Sequence, residues 1–299
     1  RDAGVEVAAA AAGDLEQGAG WVRAGGVRAE WLAAADGLTG VFSAHPAVVG
    51  QLTRACVVAA NAVLAAHALY VFLAMPAEAT GFDGEPDDRT LAVLPLSFDY
   101  GQNQLLSTWY AGGSVVPLDY LTPRDVVKAV GQHGVTTLAA VPPLWVQLAE
   151  IDWPAETATH LRRLTNSGGA LTVDLVKRLR GQFPQAQLFA MYGLTEAFRS
   201  TFLDPALIDS HPTSMGKAIP HAEILVIADD GAVADNGVEG ELVHCGPLVA
   251  QGYWQDPHRT AERYKPAPAA SIYGGMAVWS GDWVRRESDG LLYFVGRRD

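Results

Sequence analysis

Three separated segments of the chain carry residues whose types and spacing could do chemistry. The first combines an aromatic ring, a glycine, a hydroxyl and a carboxylate, in the run Tyr192, Gly193, Thr195 and Glu196. An aromatic face can stack on a flat ligand, a hydroxyl can contact a phosphate, and a carboxylate can bind magnesium. Taken alone, such a run is more often an ordinary surface loop.

The second segment is rich in glycine and directly follows a short apolar run. It contains Gly168, Gly169 and Ala170, preceded by Asn166 and Ser167. Glycines let bare backbone approach a flat ligand closely and leave the amides free to donate hydrogen bonds. The alternative is a simple turn between a strand and a helix, which the same residues favour when no other segment is considered.

The third segment places an acidic residue a short distance before a basic one, Asp282 before Arg297. A carboxylate can accept two hydrogen bonds from a sugar diol while a guanidinium donates to neighbouring oxygens. Two turns joined by a salt bridge are the alternative.

Several standard catalytic motifs are missing from the sequence. It contains no G-x-x-x-x-G-K-[ST] phosphate loop, no G-x-G-x-x-G, no G-x-S-x-G and no H-E-x-x-H. Dinucleotide binding, serine hydrolysis and zinc catalysis therefore lose their best signatures.

The elements that would position these segments follow an α/β order. Short apolar runs predict strands at 91–95, 114–117, 135–141, 161–165 and 188–191. Between them, Thr122 followed by Pro123 predicts a helix to about His133, and further helices are predicted at 142–150 and from Thr172 to about Phe183. Strands that alternate with helices in this way predict a parallel sheet covered by helices on both faces.

The predicted alternation of strands and helices ends at about residue 220. Alternating runs at 223–228 and 240–245 predict a hairpin, and short strands are predicted at 277–280 and 291–295. We therefore expect an α/β part over residues 1–213 and a β-rich subdomain over 214–299.

Composition narrows the classes of partner. Acidic residues number 33 against 21 basic ones, a formal net charge of -12, so nucleic acid and anionic membranes are poor partners. With only Cys56 and Cys245, the chain is not a disulfide scaffold, and without a signal peptide we expect a cytoplasmic protein. The uncharged stretch between Arg54 and Glu78 is rich in alanine and predicts a buried helix rather than a membrane span.

Taken together and in this order, the three segments resemble the AMP-forming acyl-CoA synthetases of the adenylate-forming superfamily, which includes luciferases and nonribosomal adenylation domains. Residues 240–242 and 252–254 look like the G-E-L and G-Y-W parts of that family's motifs. Residues 91–104 and 142–145 are especially similar to acyl-CoA ligases associated with bacterial exosortase systems. The resemblance covers about residues 91–299 and implies part of the family's large domain.

The resemblance implies a two-step reaction. A small-molecule carboxylic acid attacks the α-phosphate of ATP to give an acyl-adenylate, and a thiol, usually that of coenzyme A, then takes the acyl group. By resemblance, Thr195 contacts phosphate, Glu196 holds Mg²⁺ and Tyr192 lies against adenine. Gly168, Gly169 and Ala170 form a wall shared by nucleotide and acyl group, and Asp282 holds the ribose with the help of Arg297.

The sequence also departs from the family in two places. No Ser/Thr/Gly-rich loop ending in Pro-Lys-Gly precedes the stretch 55–77, and Asp299 matches the family's hinge, so we expect the residues given to stop before the small carboxy-terminal domain and its lysine. Each lost donor removes about 3 kcal/mol of transition-state stabilisation. We therefore expect retained nucleotide binding with weak or no adenylation by this polypeptide.

Substrate choice depends on Phe98 and Asp99, which resemble the Phe-Asp pair of amino-acid adenylation domains. An Asp99 that faces the acyl pocket would favour an amino or hydroxy acid, whereas at a helix end it is structural, and we favour the structural role. Three functions stay open: an acyl-CoA ligase, an enzyme that loads a carrier protein's phosphopantetheine, and a noncatalytic nucleotide-binding paralogue.

Overall fold

The computed structural model describes residues 87–298. Within them, 12 strands join into one sheet, in which a strand at 264–266 pairs with one at 276–286. The other strands lie side by side in the order 114–117, 89–92, 137–140, 163–166, 187–192, 201–202, 214–218, 292–297, 276–286, 239–245 and 223–227. The stretch between Arg54 and Glu78, Cys56 and the proposed hinge residue Asp299 lie outside the described residues.

The first half of the sheet is parallel, as predicted. Its strands are β1 (Arg89–Ala92), β2 (Ser114–Pro117), β3 (Thr137–Ala140), β4 (Arg163–Asn166) and β5 (Gln187–Tyr192). Each pairs with its neighbours in parallel register. Every residue of β3 and β4 is buried, since a central parallel strand is covered on both faces. The buried Arg163 of β4 is paired with Asp88 at 2.8 Å.

The described helices are α1 (Asp99–Tyr110), α2 (Pro123–His133), α3 (Pro142–Ala149), α4 (Ala155–His160), α5 (Val173–Gln182) and α6 (Pro257–Arg263). The predicted helices correspond to α2, α3 and α5. Helix α2 begins at a capping box formed by Thr122 and Asp125 and ends at Gly134, whose φ of 57° is left-handed. Helices α1, α4 and α6 were not predicted from the sequence.

The second half of the sheet is antiparallel. Its strands are β6 (Thr201–Phe202), β7 (Ser214–Ala218), β8 (Glu223–Ile227), β9 (Glu239–Cys245), β10 (Tyr264–Pro266), β11 (Met276–Arg286) and β12 (Leu292–Arg297). The predicted hairpin is confirmed, because β8 pairs with β9 from Glu223 opposite Cys245 to Ile227 opposite Glu241. Strand β11 runs well past the predicted end at Ser280, because irregularities in its pairing absorb Gly281 and Asp282 without ending the strand.

The main core lies between the parallel sheet and its helices. Leu91, Leu138 and Leu188 from three strands are fully buried and pack in the same cluster as Trp145 from α3 and Leu179 from α5. Trp145 is thus part of this core.

Thr172 caps helix α5, and its removal gives a direct stability test. The Thr172 hydroxyl oxygen accepts a hydrogen bond from the Leu175 backbone N–H at 3.2 Å. Thr172→Ala is expected to lower the free energy of unfolding by about 1 kcal/mol, because one amide of the first turn loses its partner. Urea denaturation checks this value, and Thr172→Ser should retain the wild-type stability; equal losses in both variants would show that the cap is not the cause.

Candidate nucleotide site

The site begins where β5 ends beside two strands of the antiparallel half. Tyr192, the last residue of β5, donates its hydroxyl hydrogen to Asp282 Oδ2 at 2.5 Å. Asp282 on β11 lies opposite Arg297 on β12 in the strand register, and Arg297 Nη1 lies 3.7 Å from Asp282 Oδ1. The structure therefore joins residues from two of the three segments that the sequence singled out.

The irregular stretch of β11 determines where Asp282 points. Gly281 has a φ of 74°, a conformation that side-chain-bearing residues rarely adopt. Its N–H donates to Glu241 Oε1 at 2.9 Å, and the Asp282 N–H donates to Ser280 Oγ at 3.1 Å. Ser280 in turn donates to the Leu242 carbonyl at 2.7 Å. These bonds fix the backbone on both sides of the Asp282 carboxylate, which is almost completely buried.

The loop after Tyr192 folds back tightly on itself. The Leu194 N–H donates to the Phe198 carbonyl at 3.1 Å and the Ser200 N–H donates to the Tyr192 carbonyl at 3.0 Å. A Cβ at Gly193 would lie 2.1 Å from the Phe198 carbonyl oxygen, so only glycine fits there. At the tip of this loop Thr195 is exposed and Glu196 is half-buried.

An open cavity of about 550 Å³ connects the loop to the Asp282–Arg297 pair. Glu196 and Arg297 both line it, together with Tyr253 and Trp254 and with the α6 residues Arg259, Glu262 and Arg263. Glu196 therefore faces the same cavity as Arg297, the partner of Asp282, whereas Thr195 and Asp282 themselves are not among the lining residues. Burial, followed by the charge of Asp282, raises the pKa of Tyr192, so its hydroxyl stays protonated and donates.

The glycine segment lies at the same edge of the sheet, because β4 and β5 are parallel neighbours. Asn166, the last residue of β4, donates its Nδ2 hydrogen to the Gly169 carbonyl at 2.9 Å. Gly168 has a φ of 78°, and a Cβ there would lie 3.9 Å from Phe98 Cζ and 3.3 Å from Val141. Gly168, Gly169 and Ala170 are exposed, and the Phe98 ring approaches them from the start of α1.

Asp99 is the first residue of α1, and its Oδ1 accepts a hydrogen bond from the Tyr100 backbone N–H at 2.9 Å. Burial raises the pKa of this carboxyl, while that hydrogen bond and the charge of Arg199 oppose the rise. The carboxylate thus contacts the first turn of its own helix, where a negative charge is favourable, and the structural role favoured from the sequence stays a prediction.

Arg199 is a residue of this region that sequence reasoning missed. It is buried, and its Nη2 donates to Asn103 Oδ1 of α1 at 3.2 Å. Its guanidinium also lies 5.9 Å from the centre of the Tyr100 ring. Burial lowers the pKa of Arg199. The sequence signal that could have identified Arg199 is its position, three residues after Glu196 and just before β6.

The side chains that line the cavity fit a magnesium ion that is bound jointly by the protein and by the phosphates of a nucleotide. Mg²⁺ usually binds through one or two carboxylates plus substrate phosphates rather than in an all-protein cage. Residues 87–298 hold no group of three or more His, Cys, Asp or Glu side chains that could bind a metal. Glu196 supplies one carboxylate to the cavity, and Asp256 and Glu262 line it as well.

Comparison with known proteins defines the class. Residues 57–254 match the family model described as AMP-binding enzyme, and the chain therefore belongs to this family of adenylate-forming enzymes. Asp282 and Arg297 lie beyond the matched range, so their part in the site is argued from the geometry alone.

Between residues 87 and 298, no helix has both the length and the apolar character needed to cross a membrane.

Individual relatives include two curated proteins. The chain is 31% identical over 233 residues to the D-alanine--D-alanyl carrier protein ligase of Lactiplantibacillus plantarum, covering 72% of this chain and 43% of the ligase. It is 30% identical over 220 residues to the phenyloxazoline synthase MbtB of a Mycobacterium species, covering 72% of this chain and 18% of the synthase. The chain thus spans less than half the length of either protein.

Solved structures agree on the fold. A holo NRPS protein containing adenylation and PCP domains, bound to a vinylsulfonamide inhibitor, matches with a TM-score of 0.67 and 28% identity, covering 73% of this chain and 39% of that one. The crystal structure of CmiS6 matches with a TM-score of 0.66 and 30% identity, covering 74% of this chain and 55% of that one. The predicted α/β fold of the adenylate-forming class is confirmed.

Proposed function

We propose that this chain provides the nucleotide site of an enzyme that binds ATP with magnesium and activates a carboxylic acid as an acyl-adenylate, which then reacts with a thiol. The observation that carries this proposal is the convergence of Tyr192, Asp282 and Arg297 at one end of a cleft that Glu196 also lines. Family membership supports it independently.

The roles of the side chains follow from their chemistry. In the first step a carboxylate oxygen bonds to the α-phosphorus of ATP, and the bond to pyrophosphate breaks. In the second, the thiol sulfur bonds to the acyl carbon and AMP leaves with the electron pair of the broken bond. Asp282 orients the ribose by accepting its hydroxyl hydrogens, Thr195 donates to a phosphate oxygen, and Tyr192 supports the adenine.

Glu196 would hold the magnesium ion, which when bound neutralises charge on the phosphates. Gly168, Gly169 and Ala170 would form the wall between the nucleotide and the acyl group, since their backbone is exposed at the same sheet edge. Phe98 would line the acyl side of that wall, because its ring lies beside Gly168, with Cζ 3.9 Å from the position of a Cβ there.

For the acceptor, we propose the phosphopantetheine thiol of a carrier protein. Relatives that include a D-alanyl carrier protein ligase and an NRPS protein with a PCP domain support this choice. Coenzyme A is the second candidate, supported by the similarity of residues 91–104 to acyl-CoA ligases. Mass spectrometry of a holo carrier protein and of coenzyme A, each incubated with protein, ATP and a panel of acids, separates the two acceptors.

The low cysteine content favours the cytoplasm as the compartment.

Calorimetric titration with AMP and with ATP tests the proposal. We expect AMP to bind without metal and ATP to bind more tightly when Mg²⁺ is present. Glu196→Ala should remove the metal-dependent gain in ATP affinity but leave the thermal midpoint nearly unchanged, because a partly exposed carboxylate contributes little to packing.

Two outcomes would contradict the assignment. Absence of affinity for either nucleotide in the folded protein would remove its basis, and collapse of the thermal midpoint in Glu196→Ala would make that residue structural. Nucleotide binding without acid-dependent pyrophosphate exchange would instead favour the noncatalytic nucleotide-binding alternative.

A further inference from the structure

Glu196 is joined to a second segment of the chain by both its backbone and its side chain. Its carbonyl accepts a hydrogen bond from the Ala250 N–H at 2.9 Å, and its Oε1 accepts one from the Tyr253 hydroxyl. The second contact connects residues that are 57 positions apart in the sequence. The Glu196 carboxylate is therefore held by a group outside its own loop.

Tyr253 is itself firmly placed at the start of the segment leading to α6. Its N–H donates to Thr260 Oγ1 at 2.9 Å, and Thr260 donates to the Asp256 carbonyl at 2.7 Å. Its ring packs edge-on against Tyr264 with 5.6 Å between the ring centres. A Cβ at Gly252 would lie 2.6 Å from Thr260 Cγ2, so the glycine permits this close approach. The hydroxyl is thus presented from a preorganised support.

The cavity around Glu196 offers stronger competing partners. Arg259, Arg263 and Arg297 line the same cavity, yet Glu196 makes no ion pair within 4.0 Å with any residue from 87 to 298. A carboxylate drawn into such an ion pair would turn its oxygens away from a metal. A neutral hydroxyl that donates to Oε1 fixes the carboxylate without adding charge and leaves Oε2 available.

We propose that Tyr253 is a positioning residue, which orients the Glu196 carboxylate for a divalent cation bound to the nucleotide. This inference rests on the proposed function. Carboxylates that bind metals are themselves usually hydrogen-bonded, and loss of such a partner typically costs 10- to 100-fold in metal affinity. Tyr253 does not touch the reacting atoms and acts only through Glu196.

Tyr253→Phe tests the proposal, because it removes the hydroxyl and keeps the ring. The measured quantity is the concentration of Mn²⁺ that gives half-maximal formation of the protein–ATP–metal complex. It is obtained from the electron paramagnetic resonance signal of free Mn²⁺. We expect this concentration to rise by about tenfold, while the affinity for metal-free AMP stays at the wild-type value.

Tyr264→Phe is the matched control. It removes the hydroxyl of the other ring in the same pair, and that hydroxyl makes no hydrogen bond to Glu196. We expect Tyr264→Phe to keep the wild-type Mn²⁺ dependence. Thermal melting of both variants shows whether the fold is retained. If Tyr253→Phe does not fold, a second pair of variants makes the same comparison. Thr260→Ser keeps the hydroxyl that anchors Tyr253, and Thr260→Ala removes it.

Three results would overturn the inference. The first is an unchanged Mn²⁺ dependence in Tyr253→Phe, and the second is an equal shift in Tyr264→Phe. The third is a loss of AMP affinity in Tyr253→Phe that equals its loss of metal affinity, which would mean that the cleft is distorted. If the wild-type protein bound no nucleotide at all, the proposed function would fail, and this result is distinguishable from each of the three.

Discussion

Replacing Asp282 with asparagine is expected to weaken AMP binding by about 10- to 100-fold. The Asp282 carboxylate already accepts the Tyr192 hydroxyl and lies beside Arg297, and a ribose diol would add further donors to the same two oxygens. Hydrogen bonds to charged groups are worth about 1.5–3 kcal/mol each, and asparagine removes the charge and replaces one acceptor oxygen with an N–H donor. Calorimetric titration of AMP into both proteins measures the ratio of dissociation constants.

Asp229→Asn is the control for this experiment. Asp229 Oδ1 also pairs with an arginine, since Arg298 Nη2 lies 3.1 Å away, but both side chains are largely exposed and neither lines the cavity. We expect its AMP affinity to match the wild type. An Asp282→Asn protein that binds AMP as tightly as Asp229→Asn would remove Asp282 from the nucleotide site.

The second large effect concerns stability in acid. His244 on β9 is fully buried, its Nδ1 lies 2.8 Å from Ser200 Oγ, and burial lowers its pKa to about 4. In the unfolded chain the pKa is about 6.5. Below pH 6.5 the unfolded state therefore binds a proton that the folded state does not, so stability falls as the pH falls. At pH 4 the loss reaches about 3 kcal/mol, and it is complete only once the pH is below the pKa of the folded state.

Urea denaturation at intervals between pH 7 and pH 4 checks this expectation. His244→Gln should show a pH dependence flatter than wild type by about 3 kcal/mol over this range, whatever its stability at pH 7. His258→Gln is the control, because its ring is exposed and meets water in both states. Parallel curves for wild type and His244→Gln would show that the folded protein protonates His244 readily.

The sequence predicted the parallel half of the sheet well because its signals are local. Buried strands there are short apolar runs, and helix starts are marked by side chains such as Thr122 and Thr172, which act within one turn. Tyr192 and Glu196 could be proposed as site residues for a similar reason, since both lie within five residues at the end of a strand.

Helix α1 could not be predicted because its buried face is largely polar. Asn103, Gln104, Ser107 and Thr108 are all buried, so no apolar repeat with a helical period is present. Their polar groups are satisfied partly inside the fold: Ser107 donates to the Asn103 carbonyl at 2.7 Å and Thr108 to Thr90 Oγ1 at 2.8 Å. Such partners are visible only after the chain has folded.

The irregular pairing at Gly281 was hidden for a related reason. Ser280, Gly281 and Asp282 have the composition of a turn, yet hydrogen bonds to Glu241 and Leu242 on β9 keep them inside one long strand. The contact between Tyr253 and Glu196 likewise joins distant segments, and no local pattern encodes it.

A structure of the protein with AMP bound is the most direct test of a single nucleotide site. We predict the ribose hydroxyls within hydrogen-bonding distance of Asp282 and Arg297, the adenine against the Tyr192 ring and the phosphate directed towards Thr195. AMP bound at another surface, with the Asp282 carboxylate making the same contacts as in the free protein, would contradict the account.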